Sequence, residues 1–79
     1  MIYLKVNLGE ENMKSLLKVR NIKTSEDVAR IKSAIANHQG VVACEINKVK
    51  GEISVVYDNY FVTEEDFISS VEELGFAVL

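Results

Sequence analysis

The sequence predicts an α+β fold in which one antiparallel sheet carries two helices on a single face. Stretches that alternate apolar and polar residues, typical of strands, are separated by two stretches of helical periodicity, in the order β-α-β-β-α-β. In addition, Thr24-Ser25-Glu26-Asp27 and Thr63-Glu64-Glu65-Asp66 are near-copies, and each follows a strand and opens a helix that a glycine closes. This repetition indicates two β-α-β halves. With right-handed crossovers, two such halves form the ferredoxin-like sandwich.

The size and composition of the chain fit one small domain. The chain has 79 residues, of which 48% are hydrophobic and 27% are charged. This length is near the lower limit for independent folding, but the apolar content is ample for a core. We predict a single domain over residues 1–79, with a βαββαβ core at residues 14–79 and an extra N-terminal strand and turn at residues 1–13.

The first eight residues have the pattern of a half-buried strand. Apolar side chains occupy every second position, at Ile2, Leu4, Val6 and Leu8. In the predicted topology the strand at 14–22 is central and both of its neighbours are taken. The N-terminal strand is therefore expected at a sheet edge or against another copy of the protein. Unpaired strand edges invite such pairing, so we predict a homodimer that forms through a sheet edge or the N-terminal strand.

The first half of the core combines the strand at 14–22 with a helix that starts near Ser25. One face of the strand is expected to hold Leu17, Val19 and Ile22. Thr24 is a good N-cap, and Asp27 three positions later resembles a capping box with a short acid. The apolar face of the helix recurs at 3.6-residue spacing and comprises Val28, Ile31, Ala34, Ile35 and His38. Gly40 is expected at the C′ position that ends the helix.

The second half of the core repeats this plan after a hairpin. Strands are predicted at 41–48 and 52–58, and Gly51 in the connection can take the left-handed conformation that a hairpin turn needs. Thr63 is expected to cap the second helix, and three acidic residues follow it at the positive end of the helix dipole. The buried face of this helix comprises Phe67, Ile68, Val71 and Leu74. Gly75 is expected to end the helix, before a short last strand at 76–79.

Charge and hydropathy argue against several classes of function. The net charge is −3 and the basic residues are scattered, whereas nucleic-acid binding needs a basic stripe. No apolar run approaches the roughly 20 residues that span a bilayer, and no helix has the basic face of a membrane-surface helix. The first eight residues lack the features of a signal peptide. The single cysteine, Cys44, fits a reducing compartment, and we predict a cytoplasmic protein without nucleic-acid or membrane partners.

The chain resembles the heavy-metal-associated (HMA) domain family, which includes copper chaperones and the N-terminal modules of heavy-metal ATPases. The resemblance runs from about Leu17 to Val78. It is carried by the spacing of helix-one residues (Val28, Ile31, Ala34, Ile35, Gly40 and Val41), by the strand Glu52-Ile53-Ser54-Val55-Val56-Tyr57-Asp58, and by Glu72-Glu73-Leu74-Gly75-Phe76. The resemblance implies the same ferredoxin-like fold and, in the usual members, a soft-metal site at the start of the first helix.

The metal motif of that family is replaced in this chain. Its Gly-Met-x-Cys-x-x-Cys falls on residues 21–27, where the two cysteine positions are Thr24 and Asp27, and only Ile22 keeps the apolar character of the Met position. Cu(I) prefers thiolate or thioether ligands, and a hydroxyl with a carboxylate supplies hard oxygen donors instead. We therefore predict that Thr24 and Asp27 form a degenerate site that caps a helix, and that the protein has no metal or other cofactor.

Other residues that could carry chemistry also have simpler interpretations. His38 occupies an apolar position near the end of the first helix, so a structural role is favoured over metal ligation. Cys44 is expected to share a buried face with Val42 and Ile46, as a small hydrophobic residue. The acidic residues of the second helix are expected to form a solvated face. No nucleophile-base pair or catalytic triad can be assembled from one histidine and one cysteine, so we predict that the protein is not an enzyme.

Three functional hypotheses follow. The first is a non-enzymatic HMA-like module that has lost its soft-metal cysteines and acts through protein-protein interaction or self-association, with residues 22–27 as a possible partner site. The second is a metal-binding or transport protein that holds Cu or Zn through ligands foreign to the family, namely His38, Cys44 or Asp27. The third is a small-molecule-sensing domain of the ACT type, which has the same βαββαβ order.

Overall fold

The computed structural model describes residues 12–79 as a four-stranded sheet covered on one face by two helices. The elements are β1 (Asn12–Arg20), α1 (Ser25–Ala36), β2 (Val41–Asn47), β3 (Glu52–Asp58), α2 (Glu64–Glu73) and β4 (Ala77–Val78). This order confirms the predicted ferredoxin-like α+β fold. The strand predicted at residues 1–8, and with it the expectation of its pairing, lies outside the described residues.

The strands are ordered β2-β3-β1-β4, and all neighbouring pairs are antiparallel. The central position predicted for β1 is confirmed. However, β3 pairs with β1 from Asn12 to Lys18, whereas β4 pairs only with Val19 and Arg20. Both neighbours of β1 are therefore taken, as predicted, and the β4 side is covered over only two residues. The β4-side edge of β1 between Asn12 and Leu17 has no partner strand in the part of the chain that the structure describes.

The core lies between the sheet and the helices. From Lys14 to Arg20 in β1 and throughout β3, every second side chain is buried and those between are exposed or half-buried, as a sheet with one covered face requires. The fully enclosed side chains are those of Phe67, Ile31, Ile35, Ile53, Val55 and Val71. Both helices contribute to this set at helical spacing, so the predicted apolar faces of α1 and α2 are the faces that pack on the sheet.

One polar pair is buried within this apolar core. The Ser15 hydroxyl on β1 and the Tyr57 hydroxyl on β3 lie 3.1 Å apart and share a hydrogen bond, and both residues are buried. The Tyr57 ring also packs edge-to-face on Phe67 of α2, with the ring centroids 4.9 Å apart. The pair therefore satisfies two hydroxyls that burial would otherwise leave without partners.

The boundaries of the first β-α unit differ from those predicted. β1 covers residues 12–20 rather than 14–22, and α1 ends at Ala36 with Asn37 as its C-cap. Gly40 is therefore not the C′ residue, because the helix ends two residues too early for that role. Gly40 instead adopts φ +98°, and a Cβ atom there would lie 2.8 Å from the Phe61 Cβ. Its role is to let the chain pass close to the β3-α2 loop.

The prediction for β2 was also wrong in one detail. Val42 does not share the buried face of Cys44, since it is 62% exposed whereas Cys44 is 8% exposed. The cause is an irregularity in the ladder between Val41 and Ala43, where two steps along β2 correspond to one step along β3. Such a bulge reverses the alternation of side chains. Val41, rather than Val42, packs against the core.

The hairpin and the second helix agree with the predictions. Gly51 has φ +67°, and a Cβ atom there would lie 2.6 Å from the Val19 carbonyl oxygen. The Val19 amide donates to the Gly51 carbonyl at 2.8 Å, which joins the hairpin end to β1. Thr63 caps α2, and Gly75 follows its C-cap with φ +99°.

Candidate functional site

The β1-α1 loop is the region where the sequence predicts a degenerate metal site. The loop leaves the sheet through Asn21, which has φ +68° and is the one non-glycine residue with positive φ among residues 12–79. Asparagine tolerates this left-handed conformation better than most residues. The turn directs Ile22 back into the core, where it is 7% exposed. Ile22 is thus buried as predicted, although it lies beyond the end of β1.

Thr24 and Asp27 form a complete capping box at the start of α1. The Asp27 amide donates to the Thr24 hydroxyl at 3.0 Å. In return, the Asp27 carboxylate accepts hydrogen bonds from the amides of Lys23 at 3.1 Å and Thr24 at 3.2 Å. Both side chains at the cysteine positions of the family motif are therefore bound to the main chain. This arrangement satisfies amides that the first turn of a helix leaves without partners.

The electrostatics of the cap favour the ionised form of Asp27. The backbone amide of Lys23 is the main cause of the lowered pKa of this carboxyl, with further contributions from the Thr24 amide and hydroxyl and from the Arg30 guanidinium. Hydrogen bonds to a carboxylate favour its charged form, and the helix dipole acts in the same direction. A carboxylate held in this way is a stable cap.

The same device occurs at the second helix. Thr63 and Asp66 also form a capping box, in which the Thr63 amide donates to the Asp66 carboxylate at 2.9 Å and the Asp66 amide donates to the Thr63 hydroxyl at 3.4 Å. The N-cap residues have nearly the same backbone angles, φ −119° and ψ 163° at Thr24 against φ −122° and ψ 166° at Thr63. The geometry at Thr24 is therefore that of an ordinary helix start in this protein.

Arg30 is a residue of this region that the sequence analysis did not single out. Its guanidinium lies 3.7 Å from the Asp27 carboxylate and donates to the Leu74 carbonyl at 3.4 Å. It also lies 5.8 Å from the centre of the Phe76 ring. Arg30 thus joins the start of α1 to the end of α2 and to the Gly-Phe segment after it. The i,i+3 spacing from Asp27 is the signal that could have identified it.

His38 is held by the second helix. It lies in the turn after α1, where its Nε2 atom is 2.7 Å from the Ser70 hydroxyl of α2. Its ring packs edge-on against Phe67 with the centroids 5.8 Å apart. The ring is half-buried, and its contacts tie the end of α1 to α2. These contacts support the structural role that the sequence favours.

Cys44 lies in the buried face of β2. Burial raises the pKa of the Cys44 thiol against a smaller opposite effect of Lys32, and the carboxylate of the adjacent Glu45 makes the smallest contribution, in the same direction as burial. A reactive or metal-binding cysteine needs a lowered pKa and access to solvent. Cys44 has neither property. Its contacts belong to the apolar core cluster.

Within residues 12–79, no group of three or more His, Cys, Asp or Glu side chains is placed to hold a metal ion. Thr24 and Asp27 are occupied by their cap, His38 by Ser70, and Cys44 by the core. No helix in the described range is long and apolar enough to cross a membrane. What the β1-α1 loop presents to solvent is a short polar surface around Lys23 and Glu26, which are both exposed.

Comparison with known proteins identifies relatives among copper proteins, although no protein-family model matches the chain. The copper chaperone CopZ of Staphylococcus aureus (strain bovine RF122 / ET3-1) is 28% identical over 64 residues, which cover 81% of this chain and 94% of that protein. The structure of a CopZ metallochaperone superposes with a TM-score of 0.82 at 25% identity and covers 85% of this chain and all of the other. The yeast copper transporter domain CCC2A superposes with a TM-score of 0.77 at 29% identity, with 82% and 89% of the two chains covered.

Proposed function

Because the chain is an HMA domain of the copper-chaperone-like type, we propose that it is a non-enzymatic interaction module in which a helix cap has replaced the soft-metal ligands. The observation that carries the proposal is the capping box between Thr24 and Asp27. In this box each side chain is engaged with the main chain, and neither supplies the thiolate that Cu(I) prefers. In the proposed function the protein holds neither Cu nor Zn at this loop.

The proposed activity lies in surfaces that the fold leaves open to other proteins. Lys23 and Glu26 are exposed at the β1-α1 loop, and residues 22–27 would form one contact region. β2 is one of the two outer strands of the sheet, and its free edge can pair with a strand of another chain. We propose that the protein forms a homodimer through a sheet edge, in a reducing, cytoplasmic setting in which the lone Cys44 stays a thiol.

A competition titration tests the replacement of the metal site. The reduced protein is titrated with Cu(I), and separately with Zn(II), in the presence of a chromophoric chelator of known affinity. We expect the wild-type protein to remove no more metal from the chelator than the Cys44→Ser/His38→Ala variant does. Cys44 and His38 carry the one thiol and the one imidazole of the chain, so this variant is the matched control.

A stoichiometric amount of metal withheld from the chelator by the wild type, and lost in the variant, would overturn the proposal in favour of a metal-binding function through His38 and Cys44. Self-association is measured separately, by sedimentation velocity at tens of micromolar protein. A strictly monomeric mass over that range would contradict the proposed homodimer but would leave the result for the metal site standing.

A further inference from the structure

The sheet surface that faces away from the helices is basic. The alternation in β1 directs Lys14, Lys18 and Arg20 to this surface, and the β2-β3 turn adds Lys48 and Lys50; all five are exposed. Three acidic residues of β2 and β3 share the surface, namely Glu45, Glu52 and Asp58. Glu52 is paired with Lys18 at 3.4 Å. We call this surface the sheet face, and it carries an excess of positive charge in a protein of net charge −3.

The opposite surface, formed by α1 and α2, is acidic. It has two basic residues, Arg30 and Lys32, and the Arg30 guanidinium is already engaged with Asp27 and the Leu74 carbonyl. Its carboxylates are Glu26, Asp27, Glu64, Glu65, Asp66, Glu72 and Glu73. We call this surface the helix face. The two faces of one small domain therefore carry charges of opposite sign.

Each face also has an apolar feature of matching kind. On the sheet face, Leu16 is 58% exposed and stands beside Ser54 of β3 in the strand register. On the helix face, a largely apolar groove of about 440 Å³ is lined by Ala29, Ala34 and Leu74 together with the polar side chains of Glu26, Arg30, Ser33 and Asn37. Leu16, an exposed aliphatic side chain on the basic sheet face, can thus be matched with an apolar groove on the acidic helix face of the same protein.

We propose that the sheet face of one copy docks on the helix face of a second copy, with Leu16 of the first in the α1-α2 groove of the second. Charge complementarity between the faces identifies the partner as another molecule of this chain, since both surfaces are present on it. The contact joins two different surfaces, so it is heterologous and adds further copies at either end. It does not use the free edge of β2, so it is distinct from the edge-paired dimer proposed above, and Glu26 is the residue of the 22–27 region that lines the groove.

A charge-swap experiment tests this contact with the protein as its own probe. One variant, Lys14→Glu/Lys48→Glu, makes the sheet face acidic. The other, Glu72→Lys/Glu73→Lys, makes the helix face near Leu74 more basic, at a helix C-terminus where lysine suits the dipole. We expect each variant alone to self-associate about tenfold more weakly than the wild type, because like charges then meet. An equimolar mixture of the two should restore association, since each altered face meets an altered partner face.

The control for net charge is Gln39→Glu/Asn59→Glu, which lowers the net charge by half as much as the sheet-face variant does. Gln39 and Asn59 are both exposed, and both lie in loops outside the strands and helices that form the two faces. This control should self-associate as the wild type does. Leu16→Ser should weaken association without changing the charge, and salt between about 50 and 500 mM should weaken it in the wild type by screening.

The outcomes separate this contact from edge pairing. Restored association in the mixture, with the control unaffected, supports the face-to-face contact. Equal loss in the control, or a mixture that stays dissociated, overturns it, because net charge or an unrelated surface would then govern association. Wild-type dimers that persist in both variants would likewise overturn it and would point to the sheet edge.

Discussion

Thr24 and Asp27 bind each other's backbone amides, at 3.0 and 3.2 Å, across the first turn of α1. These are the two positions at which the resembled motif has its metal-binding cysteines. In the proposed function, this reciprocal pair of hydrogen bonds stands where the motif would have a pair of metal ligands. Such a cap stabilises a helix by about 1 kcal/mol. The domain that contains it is similar in sequence and in fold to copper chaperones.

Restoring the thiols should restore soft-metal binding. We expect Thr24→Cys/Asp27→Cys to bind about one equivalent of Cu(I), since two thiolates in one loop supply the ligands that this ion prefers. The loss of the cap should lower the free energy of unfolding of the metal-free variant by about 1–2 kcal/mol. Chelator competition measures the first effect, and urea unfolding measures the second.

The second helix provides the control for that experiment. Thr63→Cys/Asp66→Cys places the same residues in the same capping geometry at α2 but without Asn21 and the buried Ile22 before them. We expect this pair to bind Cu(I) at least about tenfold more weakly. Equal binding by the two variants would show that any helix start with two cysteines suffices and that the β1-α1 loop contributes nothing.

Asn21 should be replaceable by glycine but not by ordinary residues. Its φ of +68° costs most L-residues about 1–2 kcal/mol, whereas glycine adopts it freely. We expect Asn21→Gly to change the free energy of unfolding by less than about 0.5 kcal/mol and Asn21→Ala to lower it by about 1 kcal/mol. Asn59 is exposed and does not have a positive φ, so Asn59→Ala should change the free energy of unfolding little. Equal losses in the two alanine variants would contradict the role of backbone conformation.

The Asp27 cap should make stability depend on acid pH in a defined direction. The pKa of this carboxyl is lowered in the folded protein from an ordinary value of 3.8, chiefly by the Lys23 amide. Its contribution to stability is therefore fully present above about pH 4 and is lost as the pH falls through the folded-state pKa. The difference in urea midpoint between the wild type and Asp27→Asn should be largest near neutral pH and should shrink below pH 4. A difference that stays constant down to pH 2 would contradict this assignment.

Cys44 should react slowly while the protein is folded. Its side chain is buried and the pKa of its thiol is raised, so both access and thiolate population are low at neutral pH. We expect labelling by a thiol reagent to be at least about tenfold slower in buffer than in denaturing urea. Val42→Cys in a Cys44→Ser background, two positions away but 62% exposed, should label quickly under native conditions. Fast labelling of native Cys44 would contradict its place in the core.

Much of the fold follows from local signals in the sequence. The two capping boxes, the left-handed Gly51 and the apolar faces of both helices were all predicted, because each depends on residues only a few positions apart. The departures arise where contacts between distant segments decide the outcome. The bulge that turns Val42 outward depends on the register between β2 and β3, and the role of Gly40 depends on its approach to Phe61. Neither the register nor this approach is visible in a pattern of residues that are close together in the sequence.

The candidate site was predicted in part. The sequence located Thr24, Asp27, His38 and Cys44, and the structure supplies the partners that define their surroundings. Ser70 is 32 positions from His38, and the bond from Arg30 to the Leu74 carbonyl spans 44 positions. Periodicity places such residues on a helix face but does not pair them across two helices.

The hydrogen bond between Ser15 and Tyr57 also has a consequence for how the chain chooses its strand alignment. A shift of β1 by two residues against β3 would keep its apolar side chains on the buried face but would separate Ser15 from Tyr57 and leave buried hydroxyls without partners, at a cost of about 1–3 kcal/mol. Leu17 and Val19 would oppose this shift less selectively, because hydrophobic contacts have no direction. The hydrogen bond between the two hydroxyls, which are 42 positions apart in the sequence, therefore favours the native register of β1 and β3 over the alternative registers nearest to it.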